Sequence, residues 1–164
     1  MLETEEESGS HDLVYLLKKN HEIIKTPDIC FCMDSGCLDY NNIWLTSTLR
    51  GICELNLTVE IASMGTHSGT GGGILPDSYR ILNILISRLE NLHTGEVIKE
   101  LQAKEIPDYF REEAKFIADL LGPKLCDLHM LEGVVPLSHD NYAEMYLNNT
   151  WRAWLTLTGI VAVT

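Results

Sequence analysis

A histidine stands among five glycines in Gly65-Thr66-His67-Ser68-Gly69-Thr70-Gly71-Gly72-Gly73. Histidine is the side chain most easily tuned to exchange a proton or donate a hydrogen bond near neutral pH. Glycine lets the backbone turn sharply and approach a ligand closely. The plain alternative is a glycine-rich connection carrying an incidental histidine. Phosphate binding is the rival chemistry, and its patterns fail here. Ile74 stands where the last glycine of G-x-G-x-x-G belongs, and no Gly-Lys-Ser/Thr follows as in a Walker loop. A serine hydrolase built on His67 lacks a G-x-S-x-G elbow. Carboxylates supply the other candidate chemistry. Asp34 closes the apolar run Ile29-Cys30-Phe31-Cys32-Met33, and the opening residues include Glu5-Glu6-Glu7.

The elements that must position these groups are legible as patterns. His11 to Asn20 carries Leu13, Val14, Leu16 and Leu17 and ends in Lys18-Lys19, a helical stripe with cations at its C-terminus, where they suit the helix dipole. Ser10 is placed to cap it. After Pro27-Asp28, the run 29–33 reads as a strand buried on both faces, as in a parallel sheet. Asp34 then falls at a strand's carboxyl end, where open α/β sheets bind ligands. Cys53, Leu55, Leu57, Val59 and Ile61 alternate with polar residues, the pattern of a strand with one face in water. The change from a two-sided to a one-sided strand predicts a domain boundary near residues 41–50.

Beyond the glycines, Pro76-Asp77 marks a helix start, and Ile81, Leu82, Leu85, Leu89 and Leu92 form its stripe up to Gly95. Ile84 and Ile86 widen that stripe and predict a second partner surface. Pro107-Asp108 opens another helix, with Phe110, Ala114, Ile117, Ala118 and Leu121 inward and Gly122-Pro123 as its stop. Ser138 is placed to cap a short helix through Leu147, and Leu155 and Leu157 alternate with Thr156 and Thr158 in a last strand. The expected fold class is α/β (mixed α+β).

Composition narrows the partners. The chain has 164 residues, 45% of them hydrophobic, and a formal net charge of −12. That charge argues against nucleic acid, whose binding needs clustered Lys and Arg, and against anionic membrane surfaces, while suiting metal ions. No apolar run approaches the roughly 20 residues that span a bilayer. The acidic start shows no signal-peptide core, so a reducing, cytoplasmic setting is expected. Cys30, Cys32, Cys37, Cys53 and Cys126 lack zinc-knuckle spacing and read as small packed hydrophobes.

Four motifs come in a particular order: Glu6-Glu7-Ser8-Gly9-Ser10, Asp34 after an apolar run, His67-Ser68-Gly69 with Gly72-Gly73, and Thr150-Trp151-Arg152 before a strand pattern. In that order the chain resembles the dinuclear-zinc peptidases related to carnosine dipeptidase and cytosolic non-specific dipeptidase and, more distantly, acetylornithine deacetylase. The resemblance implies a parallel-sheet catalytic domain around two divalent ions, zinc or alternatively manganese, with a smaller lid domain that mediates dimerisation. Residues 1–44 would be part of the catalytic domain and 45–164 an incomplete lid, forming a homodimer through the helix from Asp77 to Leu92. Glu6 would be the general base, Glu7 and Asp34 metal ligands, His67 the oxyanion-stabilising donor lent to the partner subunit's site, and Arg152 the grip on the carboxylate of a small peptide substrate.

The resemblance also implies an upstream His, a bridging Asp and a late His, which have no matching positions. His11, His21, His93, His129 and His139 stand in other contexts. The chain is therefore expected to be a fragment, unable to hydrolyse a dipeptide alone. The alternative is a non-catalytic, lid-like dimerisation module.

Overall fold

The computed structural model describes residues 2–34, 36–103 and 105–161. Ser35, beside Asp34, and the last three residues of the expected lid piece lie outside them. Contacts divide the chain into two units, Met1–Leu45 and Thr46–Thr164.

In the first unit a 3₁₀ turn, Glu6–Ser8, precedes two helices, α1 (Leu13–Lys19) and α2 (His21–Ile24). Helix α1 forms where the stripe predicts it, and Lys18 and Lys19 occupy its last turn. Its C-terminus is closed by Asn20, whose side-chain amide donates to the Leu16 carbonyl at 2.8 Å. Ser10 does not cap it. Asp12 holds the N-cap position without a side-chain bond, and Ser10 sits at φ +50 and serves through its backbone carbonyl, which accepts from the Leu13 N–H.

The second unit contains α3 (Ser68–Gly71), α4 (Ser78–Ile86), α5 (Asp108–Leu121) and α6 (Tyr142–Thr150), with 3₁₀ turns at Lys99–Leu101 and Gly122–Cys126. Its core is small. The buried apolar residues among those described are Val97, Ala114, Ile117, Leu121 and Leu147, and α5 packs on α6 with the 3₁₀ turn Gly122–Cys126 against both. Ala114, with no exposed area, lets the two backbones approach; Leu147, 2% exposed, fills the opposing face. Burying such a leucine is worth about 1.5–3 kcal/mol. Phe110 and Trp151 close one end of the pair, their ring centroids 4.5 Å apart. Cys126 and Met145 meet at 3.2 Å between sulfurs at the other.

The expected parallel-sheet α/β fold is not what forms. Among the described residues there is no strand, and the one ladder-type contact is an isolated antiparallel bridge between Glu90 and Val97. Residues 29–33 carry no regular secondary structure and are exposed, with Phe31 at 72% and Met33 at 96%. The alternating stretch 53–61 and the stretch after Arg152 likewise run without ladder partners. A helix satisfies its backbone hydrogen bonds from within, whereas a strand needs a second strand beside it. Alternation fixes which side chains would share a face, but it supplies no neighbour.

The cysteine expectation is corrected with the strands. Cys30, Cys32, Cys37 and Cys53 are exposed and Cys126 alone is half-buried, because the runs that were to bury the others build no sheet. The helix expected from Asp77 to Leu92 is also shorter than its stripe. Asp77 caps α4 as expected, its carboxylate accepting from the Arg80 N–H at 2.6 Å. The helix nevertheless ends at Ile86, not near Leu92. There the Ser87 hydroxyl donates to the Ile84 carbonyl at 2.8 Å, and the chain turns into a loop closed by the Glu90–Val97 bridge.

Candidate functional site

Glu6 and Glu7 lie on the 3₁₀ turn Glu6–Ser8, both exposed. The Ser8-Gly9-Ser10 segment makes this turn. The N–H groups of Ser8 and Ser10 converge on the Glu5 carbonyl at 3.0 and 2.8 Å, and Gly9 supplies a left-handed φ of +96. With three residues per turn, successive side chains on a 3₁₀ helix point about 120° apart, so the two carboxylates diverge. Asp34 is exposed at the end of the apolar run 29–33.

Among the described residues, no three or more His, Cys, Asp or Glu side chains gather in a group that could hold a metal ion. A two-metal centre therefore does not fit the described residues by themselves. The carboxylate with the richest donor set is Asp39, which the sequence reading passed over. Its Oδ1 accepts from the backbone N–H groups of Asn41 and Asn42, both at 3.0 Å, from the Asn42 amide at 3.1 Å and from the Trp44 indole at 3.2 Å. Desolvation opposes its charge, but the bonds from Trp44, Asn42 and the Asn41 and Asn42 backbone outweigh that and hold the carboxyl below its usual range. Asp39-Tyr40-Asn41-Asn42 is a legible turn signal. The turn consumes the oxygens that a ligand would need.

His67 has a defined geometry. It is the N-cap of α3, and its Nδ1 accepts the Gly69 N–H at 3.1 Å. A ring nitrogen that accepts carries no proton, so the neutral ring bears its hydrogen on Nε2. The imidazole is exposed. The glycine stretch read as a loop is thus one helical turn with a histidine cap. Gly72 is required at its end, since a Cβ there would lie 2.5 Å from the Ser68 carbonyl oxygen.

Arg152 is half-buried beside α6. Its Nη2 donates to Glu144 Oε2 at 2.5 Å and its Nη1 to Asn148 Oδ1 at 2.7 Å. The segment it stands on is pinned from other sides. Arg50 Nη1 donates to the Arg152 carbonyl at 3.4 Å, and the Arg50 guanidinium lies 5.4 Å from the centroid of the Trp154 ring. The Gln102 side chain pairs with Ala153 as a strand would, accepting from its N–H at 3.1 Å and donating to its carbonyl at 3.4 Å. Glu144 and Asn148 were missed at the sequence level, though positions 144, 148 and 152 carry the i, i+4, i+8 spacing of one helix face. On the neighbouring part of α6, burial and then the charge of Glu113 push the Tyr146 phenol above its ordinary value.

No protein-family model matches the chain. A stretch of 94 residues, 57% of the chain, is 34% identical to the Cys-Gly metallodipeptidase dug1 of Schizosaccharomyces pombe and corresponds to 20% of that protein. The chain thus spans about a fifth of the length of the curated relative it matches. The similarity is to a hydrolase of the metallodipeptidase type. No helix among the described residues is long and apolar enough to cross a membrane.

Proposed function

We propose that this chain contributes part of the machinery of a metallodipeptidase-like hydrolase that cleaves dipeptides or related amides in the cytoplasm. The observation that carries the reading is the local similarity to a Cys-Gly metallodipeptidase. The exposed His67 imidazole, with Nδ1 engaged by the Gly69 N–H, supports it. A hydrogen-bond donor held in one tautomer by its own backbone is what a developing oxyanion needs, and this ring is exposed enough to serve a second copy of the chain. In that machinery Glu6 would be the general base, Glu7 and Asp34 would be the chain's own contribution to metal binding, and Arg152 would grip the substrate's carboxylate. Two divalent ions, zinc or manganese, would be the cofactor, with further ligands supplied by residues other than those described.

The test is to extend the expressed polypeptide along its reading frame on both sides. An upstream His-x-Asp and a further downstream His are expected. The extended protein should then release glycine from Cys-Gly in the presence of zinc or manganese, while residues 1–164 alone release none. Zinc-dependent cleavage by residues 1–164 alone would refute the incomplete-site reading. An extended protein that has those motifs and leaves dipeptides intact would refute the hydrolase.

One observation favours a second reading, a non-catalytic dimerisation module. None of the residues of α4 is buried, although its sequence is largely apolar, and Ile84 stands 48% exposed. On this reading the segment Asp77 to Leu92 is the homodimer contact. A metal-free dimer in sedimentation would favour it.

A further inference from the structure

Arg152 is the proposed substrate-carboxylate residue, and it already holds a carboxylate belonging to its own chain. Resting on that reading, we propose that Glu144 occupies the carboxylate receptor offered by the Arg152 guanidinium, which Asn148 holds in place, so that the chain is self-blocked towards an incoming carboxylate until Glu144 withdraws.

The geometry separates what positions Arg152 from what blocks it. Nη1 is held by a neutral partner, the Asn148 amide oxygen at 2.7 Å, with the Glu144 backbone carbonyl further off at 3.5 Å. The backbone around Arg152 is fixed independently by Arg50 and by the two bonds between Gln102 and Ala153. None of these contacts uses the Glu144 side chain. That side chain adds one contact, Oε2 on Nη2, and it places a negative charge where a ligand carboxylate must dock. Two carboxylates on one guanidinium repel each other as like charges, so an incoming carboxylate must displace Glu144. The Arg152 and Glu144 side chains remain 30% and 40% exposed, enough for a small anion to reach the pair and for Glu144 to swing away. Asn141 keeps the first turn of α6 formed meanwhile, its Oδ1 accepting the Glu144 N–H at 3.1 Å. That bond is to the backbone and survives loss of the carboxylate.

The experiment is a titration with sodium acetate and with N-acetylglycine, neither of which offers a free dipeptide to cleave. The Arg152 Nε–H and Ala153 N–H resonances are followed by NMR in the unaltered chain and in Glu144→Gln. Glu144→Gln is expected to bind either anion roughly ten- to a hundredfold more tightly, the factor that a freed charge-assisted hydrogen bond gives. Adding Arg152→Gln should abolish the gain. Equal or weaker binding by Glu144→Gln overturns the proposal and leaves Glu144 as a strut. If Glu144→Gln loses helical signal, Glu144→Asp, one methylene shorter, should give a smaller gain, and no gain there is equally fatal. Failure here with an extended protein that cleaves Cys-Gly would leave the proposed function standing. A gain in Glu144→Gln with no dipeptidase activity in the extended protein would leave the receptor standing and the function lost.

Discussion

The α5–α6 pair and the stretch 53–61 belong to the same unit, and their sequences are comparably patterned. One folds as its pattern prescribes; the other takes no regular secondary structure and stays uncovered. Of the five α5 residues expected inward, Ala114, Ile117 and Leu121 become buried while Phe110 and Ala118 are half-buried, and Gly122 ends the helix at φ +50. In 53–61, Leu55 is 75% exposed and no described strand lies beside it. Each helix closes its own hydrogen bonds and arrives at its partner with an apolar face complete. The strand pattern arrives with its face and its hydrogen bonds both waiting on a neighbour.

Three measurements would break or sharpen this contrast. The largest effect is expected from Leu147→Ala, which should destabilise the α5–α6 pair by about 2–5 kcal/mol, as large-to-small changes in packed cores do. Leu55→Ala should change stability by less than about 0.5 kcal/mol. Thermal unfolding followed by helical ellipticity reads both, and similar losses for the two variants would show that 53–61 is buried after all. Next in size is Gly72→Ala, whose Cβ would meet the Ser68 carbonyl. The strain should cost roughly 1–3 kcal/mol within α3. It should also free the His67 Nδ1, seen as loss of the single tautomer in ¹⁵N NMR and faster exchange of the Gly69 amide. An unchanged tautomer would mean that the cap does not depend on this turn.

The smallest effect is a pH dependence confined to the helix pair. Burial and the Glu113 charge both favour the neutral phenol of Tyr146, so its folded value lies above its unfolded value, which is near 10. That contribution is fully present below about pH 10 and is lost as pH rises through the folded value. Ellipticity should therefore fall more in that window for the natural chain than for Tyr146→Phe. Identical curves would place the phenol in water.

Punctuation was the most legible part of the fold. Asp77 caps α4 and Pro107 precedes α5 as their types and positions suggest, since each acts through bonds within three or four residues. Ser138 misled for an equally local reason. The Asn141 side chain takes the N-cap of α6, while Ser138, at φ +56, instead accepts from the Asn148 amide at 3.0 Å. Of the candidate site, the His67 cap is written into neighbouring residues, and the 144, 148, 152 spacing was available to be read. Whether Glu7 and Asp34 share an ion depends on groups far apart in the chain, and spacing does not encode that.

By itself the sequence determined where α4 and α5 begin, which face of α5 is apolar, and that a histidine sits at a glycine-rich turn, because these follow from bonds and side-chain periods spanning a few residues. The tertiary structure alone decided that the alternating runs form no sheet, that α4 stops at Ile86, and that Arg152 is already paired with Glu144. Each of those outcomes turns on whether a partner group is present at the right distance, and a linear order of residues does not carry that information.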